Sequence, residues 1–380
     1  MPTMRQDVAL LSACPLRRDK FNSGRCHTMK EEKITPTLMD KQGSENTLTE
    51  KETLDISELT GLHIRTNDVD IKVSVHKDPT IDVVLETYEN GPVLTTDLSN
   101  RNGEIIVESP RPRTFSFFQR VPYCQLRIAV PGDIVKEWDA ESGSGDISLS
   151  DLTAESLEVN SGSGDVILSN LIAVKSYAKT ASGDITARNL KVNDLQFQSA
   201  SGDVEFMNVY GNTAGTSTSG DVVLSSLQGE KLDIKTTSGD IHLRKIRTSH
   251  AICQATSGSI AADDMTTEKL YTTASSGDLE YRKFSGNIKG HASSGDALFT
   301  FAENGTVDFG TSSGDVTMIF AGQNPDASVN ITTRSGDITS RLPMTISSQS
   351  GKQLTGMTGE GKHSVRLRSN SGDVEILCNK

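Results

Sequence analysis

Hydrophobic and polar positions alternate along much of the chain, and from residue 142 onward the alternation recurs at a regular interval. A Ser-Gly-Asp phrase returns every 18 or 19 residues up to residue 315, and the residue after its aspartate is aliphatic, as in Ile147, Val166 and Ile185. Alternation with a period of two places successive side chains on opposite faces of a strand. Each repeat is therefore predicted to contain two short β-strands with one buried face.

The repeated phrase extends over more than half of the chain. Its aspartates are Asp146, Asp165, Asp184, Asp203, Asp221, Asp240, Asp278, Asp296, Asp315, Asp337 and Asp373. Ser257-Gly258-Ser259 occupies the one gap in the regular series. A tripeptide held in phase over so many copies indicates a repeat architecture, which overrides any domain count based on length alone.

A single repeat is too small to fold alone, because the conformational entropy lost on ordering its backbone exceeds what its few inward aliphatic side chains can contribute. Stacking equivalent coils pairs each strand with its copies and makes a continuous interior. The absence of proline between residues 132 and 324 agrees, since nearly every strand amide is then needed for pairing. The predicted fold is all-β, a single-stacked β-solenoid resembling a parallel β-helix, with about 18–19 residues per coil.

The Ser-Gly-Asp phrase is predicted to form the corner of each coil. Glycine permits the positive φ of a sharp bend, and short Ser and Asp side chains bond nearby amides. The predicted corner glycines are Gly145, Gly164, Gly183, Gly202, Gly220, Gly239, Gly277, Gly295 and Gly314.

The aspartates of the corner have a functional alternative, a column of calcium ions. The six that would form it are Asp146, Asp165, Asp184, Asp203, Asp221 and Asp240. One carboxylate per coil provides too few ligands for a cation that takes about six to eight oxygens. We therefore assign no metal site and keep the calcium column as the alternative.

The flanks of the repeat do not keep its phase. Residues 1–50 are polar and aperiodic and are predicted to be a disordered tail, whereas 51–140 are predicted to be an irregular β cap. Residues 141–340 are the predicted solenoid and 341–380 its C-terminal capping coils, with Gln349-Ser-Gly-Lys352 as a degenerate corner.

A basic and aromatic stretch interrupts the N-terminal flank. Its candidate contact residues are Arg113, Phe115, Phe117, Phe118 and Arg120. They form either an exposed loop that touches a membrane surface or a partner, or a strand with Phe115 and Phe117 directed inward beside a basic loop.

Composition narrows the classes of partner and location. The net charge of −12 argues against nucleic-acid binding, which needs a cationic face. No stretch approaches the roughly 18 apolar residues of a membrane span. Leu11-Ser-Ala-Cys14 resembles a lipoprotein signal, but its apolar run is short, and Met29 is an alternative start. The sequence therefore predicts a cytoplasmic location, with the cell surface or envelope as the alternative.

No constellation in the sequence predicts catalysis or a cofactor. His242, His250 and His291 occupy different phases of the repeat, and the five cysteines have no metal-ligand spacing. Polysaccharide-active β-helix enzymes need carboxylates in distinct environments, whereas the acids here are equivalent. A non-enzymatic scaffold is predicted, and a polysaccharide-active enzyme is the less favoured alternative.

The in-phase Ser-Gly-Asp-Ile/Val phrases, closed by Ser364-Val-Arg-Leu-Arg-Ser-Asn-Ser-Gly-Asp-Val-Glu-Ile, resemble the bacterial putative-adhesin family, also called domain of unknown function 4097. The resemblance implies a β-strand-repeat protein of adhesion or of the cell-envelope stress response, without defined catalytic residues. The expected partner is a protein, a cell-wall polymer or other glycan, or a second copy of the chain. The alternative function is an intracellular regulator or scaffold of the stress response.

Overall fold

The computed structural model describes residues 47–55, 59–109, 123–322 and 325–378, and within these residues it contains 28 β-strands and no helix. Most of the predicted tail and the whole Arg113–Arg120 stretch lie outside the described residues. The strands before the first Ser-Gly-Asp corner are β1 (Thr47–Asp55), β2 (Gly61–Thr66), β3 (Asp70–His76), β4 (Thr80–Tyr88), β5 (Val93–Asp97), β6 (Asn102–Glu108), β7 (Gln125–Pro131) and β8 (Glu137–Ser142).

The regular repeats follow. Their strands are β9 (Ile147–Ser150), β10 (Thr153–Ser161), β11 (Val166–Ser169), β12 (Ile172–Thr180), β13 (Ile185–Ser199), β14 (Val204–Ser217), β15 (Val222–Gln228), β16 (Lys231–Thr236), β17 (Ile241–Ala255), β18 (Ile260–Ala274), β19 (Leu279–Ser294), β20 (Ala297–Glu303), β21 (Val307–Ser313) and β22 (Val316–Phe320). The C-terminal strands are β23 (Ala327–Ser335), β24 (Ile338–Ser340), β25 (Thr345–Ser350), β26 (Gln353–Thr358), β27 (His363–Ser371) and β28 (Val374–Cys378).

Equivalent strands of successive repeats pair in parallel and in register. Val166 lies opposite Ile147 on one side and Ile185 on the other, and all three side chains are fully buried. We call the strand segments that lead into each corner, such as Thr153–Ser161, the pre-corner ladder. The segments that follow each corner, such as Val166–Ser169, form the post-corner ladder. Alternate residues of both ladders face one shared interior, so the predicted β-solenoid is confirmed.

Two coils contain 18 residues rather than 19, and the chain absorbs the missing residue away from the corners. The register shifts between Lys191 and Asp194 where β13 pairs with β14, and between Thr267 and Lys269 where β18 pairs with β19. Pairing resumes beyond each shift with the aliphatic positions aligned. Corners of 18- and 19-residue coils therefore stay in line.

Interior side chains of neighbouring coils are matched in size. The Phe197 ring meets the Phe206 ring edge to face, with 5.1 Å between the ring centroids. The residue opposite Phe197 in the next coil is Gly215, and a Cβ there would lie 2.3 Å from the Phe197 ring. Close packing of this kind leaves no room for a larger residue at Gly215.

A second aromatic group fills the later coils. Tyr281 stacks on Phe299 at 5.8 Å between centroids, and its hydroxyl donates a hydrogen bond of 2.7 Å to Thr272 Oγ1. Cys253 is fully buried near this group, and burial raises the pKa of its thiol to about 12. The hydrogen bond to Thr272 satisfies the buried Tyr281 hydroxyl, as a dry interior requires.

At the N-terminal end the spatial order of the coils differs from the chain order. The coil formed by β2 and β3 pairs on one side with β8 and β9 and on the other with β6 and β7, although β6 and β7 come later in the chain. Antiparallel strands then cover the outer edges, with β5 paired to β6, β4 paired to β7, and β1 paired to β4. The first coil in the sequence is thus enclosed rather than terminal.

The C-terminal end has the same arrangement. The last coil, β27 and β28, is inserted between the coil of β21 and β22 and that of β23 and β24. The β25–β26 hairpin adds two antiparallel strands beyond β23. Gln349–Lys352 is therefore the turn of a hairpin, and the expectation of a degenerate corner there is wrong.

Burial gives a direct test of the interior around Cys253. We expect iodoacetamide to modify Cys253 at least about a hundredfold more slowly in the native protein than in guanidinium chloride, since reaction needs local opening and a thiolate. Peptide mass spectrometry measures both rates, and the partly exposed Cys378 is the internal control, which should react in the native protein. Similar native rates for the two thiols would contradict this packing.

Candidate functional site

The aspartates of the corners form a hydrogen-bonded ladder along the solenoid. The Oδ1 atom of Asp146 accepts the backbone N–H of Asp165 at 2.8 Å, and Asp165 accepts that of Asp184 at 2.9 Å. The same bond continues coil by coil to Asp240. It also follows the spatial order at the ends, because Asp70 accepts from Asp146 and Asp373 accepts from Asp337.

This ladder gives each corner aspartate a structural role. At Ser259 a hydroxyl replaces the carboxylate and accepts the N–H of Asp278 at 3.2 Å, so the position requires a hydrogen-bond acceptor and not a charge. Within the part of the chain that the structure describes, no three His, Cys, Asp or Glu side chains are grouped so that they could hold a metal ion. The geometry gives no support to the calcium column considered for Asp146–Asp240.

The corner glycines stack directly on one another. A Cβ at Gly164 would lie 2.1 Å from the carbonyl oxygen of Gly145, and one at Gly202 would lie 1.8 Å from that of Gly183. Of the nine predicted corner glycines, only Gly295 and Gly314 have a φ in the left-handed region, at 123° and 134°. Close approach of successive backbones, rather than a positive φ, therefore explains the glycine at the other seven corners.

A buried hydroxyl three residues before each of several corner glycines was missed by the sequence reasoning. The hydroxyls of Ser142 and Thr180 accept the corner N–H of Gly145 and Gly183 at 2.8 and 3.0 Å. Ser199 instead donates to the carbonyl oxygen of Gly202 at 2.6 Å. The signal was a Ser or Thr at the same spacing in most repeats, hidden among the many other Ser and Thr residues.

A second bend, five residues after the corner aspartate, was also missed. Its residues have positive φ without being glycine, and they are Asp151, Asn170, Asn189, Asn208, Ser226, Lys245, Asp264 and Lys283. Asn170 donates to Asp151 at 3.0 Å, and the Asn189 and Asn208 amides continue this ladder. Asn and Asp tolerate the left-handed conformation, whereas Lys245, with φ of 55°, is strained by it.

The outward residues of the pre-corner ladder make a polar surface, which we call the pre-corner face. Its central residues include Tyr177, Gln196, Gln198, Thr216, Gln254, Tyr271 and Thr273, together with the charged Lys179, Asp233 and Lys235 and the apolar Ile252. The Tyr177 hydroxyl donates to Gln198 Oε1 at 3.2 Å, and the Tyr271 side chain is largely exposed. Parallel pairing places equivalent groups about 4.8 Å apart from coil to coil.

Near the C-terminal end, the same face contains an open depression of about 530 Å³, which we call the Gly310 depression. Gly310 has no side chain to fill the space between His291 and Arg368, its register neighbours on the adjoining coils. Arg334 lines it from the outermost parallel coil. One guanidinium nitrogen of Arg368 donates to Asp308 Oδ1 at 2.6 Å.

The other residues singled out by the sequence do not come together. His250 lies opposite Lys269, whereas His291 lies opposite Gly310, and His242 is on the post-corner ladder. Arg113, Phe115, Phe117, Phe118 and Arg120 lie outside the described residues, so their role remains a prediction. Within the described residues, no helix has the length and hydrophobicity needed to cross a membrane.

Comparison with known families matches residues 52–260 and 216–377 to Toastrack DUF4097. The chain belongs to the Toastrack DUF4097 family. The resemblance found in the sequence is thereby confirmed, and the matched residues include both the stacked coils and their N-terminal flank. None of the curated proteins matches this Toastrack chain.

Several solved structures are similar to this chain at low identity. A putative cell adhesion protein from Clostridium sporogenes is 10% identical, with 88% of this chain and 100% of that one covered and a TM-score of 0.21. A putative adhesin from Parabacteroides merdae is 12% identical, with coverage of 89% and 98% and a TM-score of 0.30. A putative lipid binding protein from Parabacteroides distasonis is 14% identical, with coverage of 88% and 98% and a TM-score of 0.29.

Corner stacking in this Toastrack chain can be tested with one methyl group. We expect Gly183→Ala to lower the free energy of unfolding by about 3 kcal/mol, because the added Cβ would lie 2.1 Å from the Gly164 carbonyl oxygen. Chemical denaturation measures the change. Gly351→Ala is the matched control, since nothing lies within 4 Å of its Cβ position and its stability should be unchanged. An equal loss in both variants would refute the stacking argument.

For the strained bend at Lys245, we expect a glycine substitution to change the free energy of unfolding in the opposite direction. Lys245→Gly should raise the free energy of unfolding by about 0.5–1 kcal/mol, since glycine adopts the positive φ of this bend without steric cost. Lys179→Gly, at a regular strand position, should lower it by a similar amount. The same denaturation experiment compares them, and a loss of stability in both would show that the bend is not strained.

Proposed function

We propose that this Toastrack chain is a non-enzymatic β-solenoid scaffold with an adhesin role, and that its pre-corner face binds a repetitive cell-wall polymer or other glycan. The in-register array of hydroxyl, amide and tyrosine groups on that face carries the proposal. A repetitive partner would meet a hydrogen-bonding side chain on each successive coil along the column Lys179, Gln198, Thr216, Lys235, Gln254 and Thr273, so that weak contacts add through multivalency.

Two tyrosines are the strongest candidate contacts on the pre-corner face. Tyr271 is 41% exposed, and Tyr177 presents its ring beside Gln198. Aromatic rings supply a large contact area with a polar end, and interface residues of this type contribute much of the binding energy. Burial raises the pKa of the Tyr177 phenol further above physiological pH, where a phenol is already a neutral hydrogen-bond donor.

Co-sedimentation of the full chain with insoluble peptidoglycan and neutral glycans tests the proposal. We expect the wild type to sediment with at least one polymer, and Tyr177→Ala/Tyr271→Ala to bind about tenfold more weakly.

The matched control is Ile167→Ala/Met207→Ala, which removes two exposed apolar side chains from the outward side of the post-corner ladder. Its binding should equal that of the wild type. Failure of the wild type to bind any of these polymers, or an equal loss in both double variants, would rule out the pre-corner face as the binding surface.

A further inference from the structure

The outward charges of the pre-corner ladder are separated along the solenoid. Towards the N-terminal end the outward positions include Asp139, Glu141 and Glu158. Towards the C-terminal end the same positions include Lys289, Arg366 and Arg368, with Asp308 between them. The last coils of this ladder therefore carry more cations than anions, although the net charge of the chain is −12.

The exchanged order of the C-terminal coils brings one of these cations, Arg368, to the edge of a gap. Because the last coil is inserted beside β21, Arg368 stands directly opposite Gly310, and Thr332 follows on the next coil. His291 borders the gap from the other side, with its Nδ1 atom 3.4 Å from the Cβ position of Gly310. Arg334 adds a second guanidinium to the lining.

The Gly310 depression is lined by outward side chains of the neighbouring strands. Ser312, Thr332 and Asn370 supply hydroxyl and amide groups beside the two arginines. These groups can donate hydrogen bonds to an anion, so the lining contains neutral donors as well as charged ones.

We propose that the Gly310 depression is a binding site for an oxyanion, a phosphate or carboxylate group carried by a partner molecule. Arg334 and Arg368 supply guanidinium donors that match the oxygen geometry of both groups. Arg368 keeps further N–H donors beside its bond to Asp308, since a guanidinium has five. The outward Ser312, Thr332 and Asn370 side chains complete a polar lining around the gap above Gly310.

This inference goes beyond the proposed function, because the site would also bind an anion that is not part of a glycan. Its residues differ from Tyr177 and Tyr271, so the two proposals fail separately. Loss of anion binding with intact glycan sedimentation would overturn only the second, and the reverse result only the first.

Isothermal titration of the full chain with inorganic pyrophosphate and with citrate tests the site and distinguishes the two sources of oxyanion. We expect at least one probe to bind. Arg334→Gln/Arg368→Gln should weaken that binding about tenfold or more, the effect of losing charge-assisted hydrogen bonds. Binding of pyrophosphate alone would assign a phosphate group, and binding of citrate alone a carboxylate.

A second variant keeps the charges and fills the space. Gly310→Gln should weaken binding by a similar factor, and the nearest atoms to its Cβ, at 3.4 and 3.8 Å, leave room for the substitution. The matched control, Arg244→Gln/Arg282→Gln, removes two exposed arginines from the post-corner ladder and should bind as the wild type does. The proposal is overturned if neither probe binds, if Gly310→Gln binds normally, or if the control loses affinity equally.

Discussion

Parallel pairing in register is the constraint on which the rest of this protein depends. Each strand must present its amides to an equivalent strand one coil away, so every coil must turn at the same place. The corners enforce this in three ways: glycines allow successive backbones to approach, aspartates bond the next coil, and buried hydroxyls hold the turn from inside. Variation is confined to places where it does not disturb that alignment, such as the register shifts of the shorter coils.

The interior shows how a repeated backbone accommodates side chains that are not repeated. One ladder position holds Ala178, Phe197 and Gly215 on consecutive coils, because a large ring on one coil occupies space left by small residues on its neighbours. The total volume of the inward side chains is therefore balanced over groups of neighbouring coils rather than within each coil. The same principle explains why Tyr281 can be enclosed: its register neighbour on the preceding coil is the small Ala262, and Thr272 accepts the hydrogen bond of its hydroxyl.

The sequence was sufficient to predict the solenoid, because the aliphatic residues after each aspartate and the spacing of the phrase are local signals. It was insufficient for the second bend, where Asn170 and Lys245 share a conformation but not a chemical type. The exchanged order of the end coils could not be predicted from the sequence either. Strand pairing there is non-local, and the Ser-Gly-Asp motif is the same whichever coils are neighbours. The Gly310 depression depends on that order, since only the inserted coil brings Arg368 opposite Gly310.

The insertion of the final coil has a consequence for how the molecule is made. Most coils can be added one at a time as the polypeptide leaves the ribosome, each using the previous one as a template. The coil of β23 and β24 cannot, because the parallel neighbour it has among the described strands, β27 and β28, is synthesised after it. That end of the solenoid must therefore wait for β27 and β28, and a chain that stops before them is left with an open end.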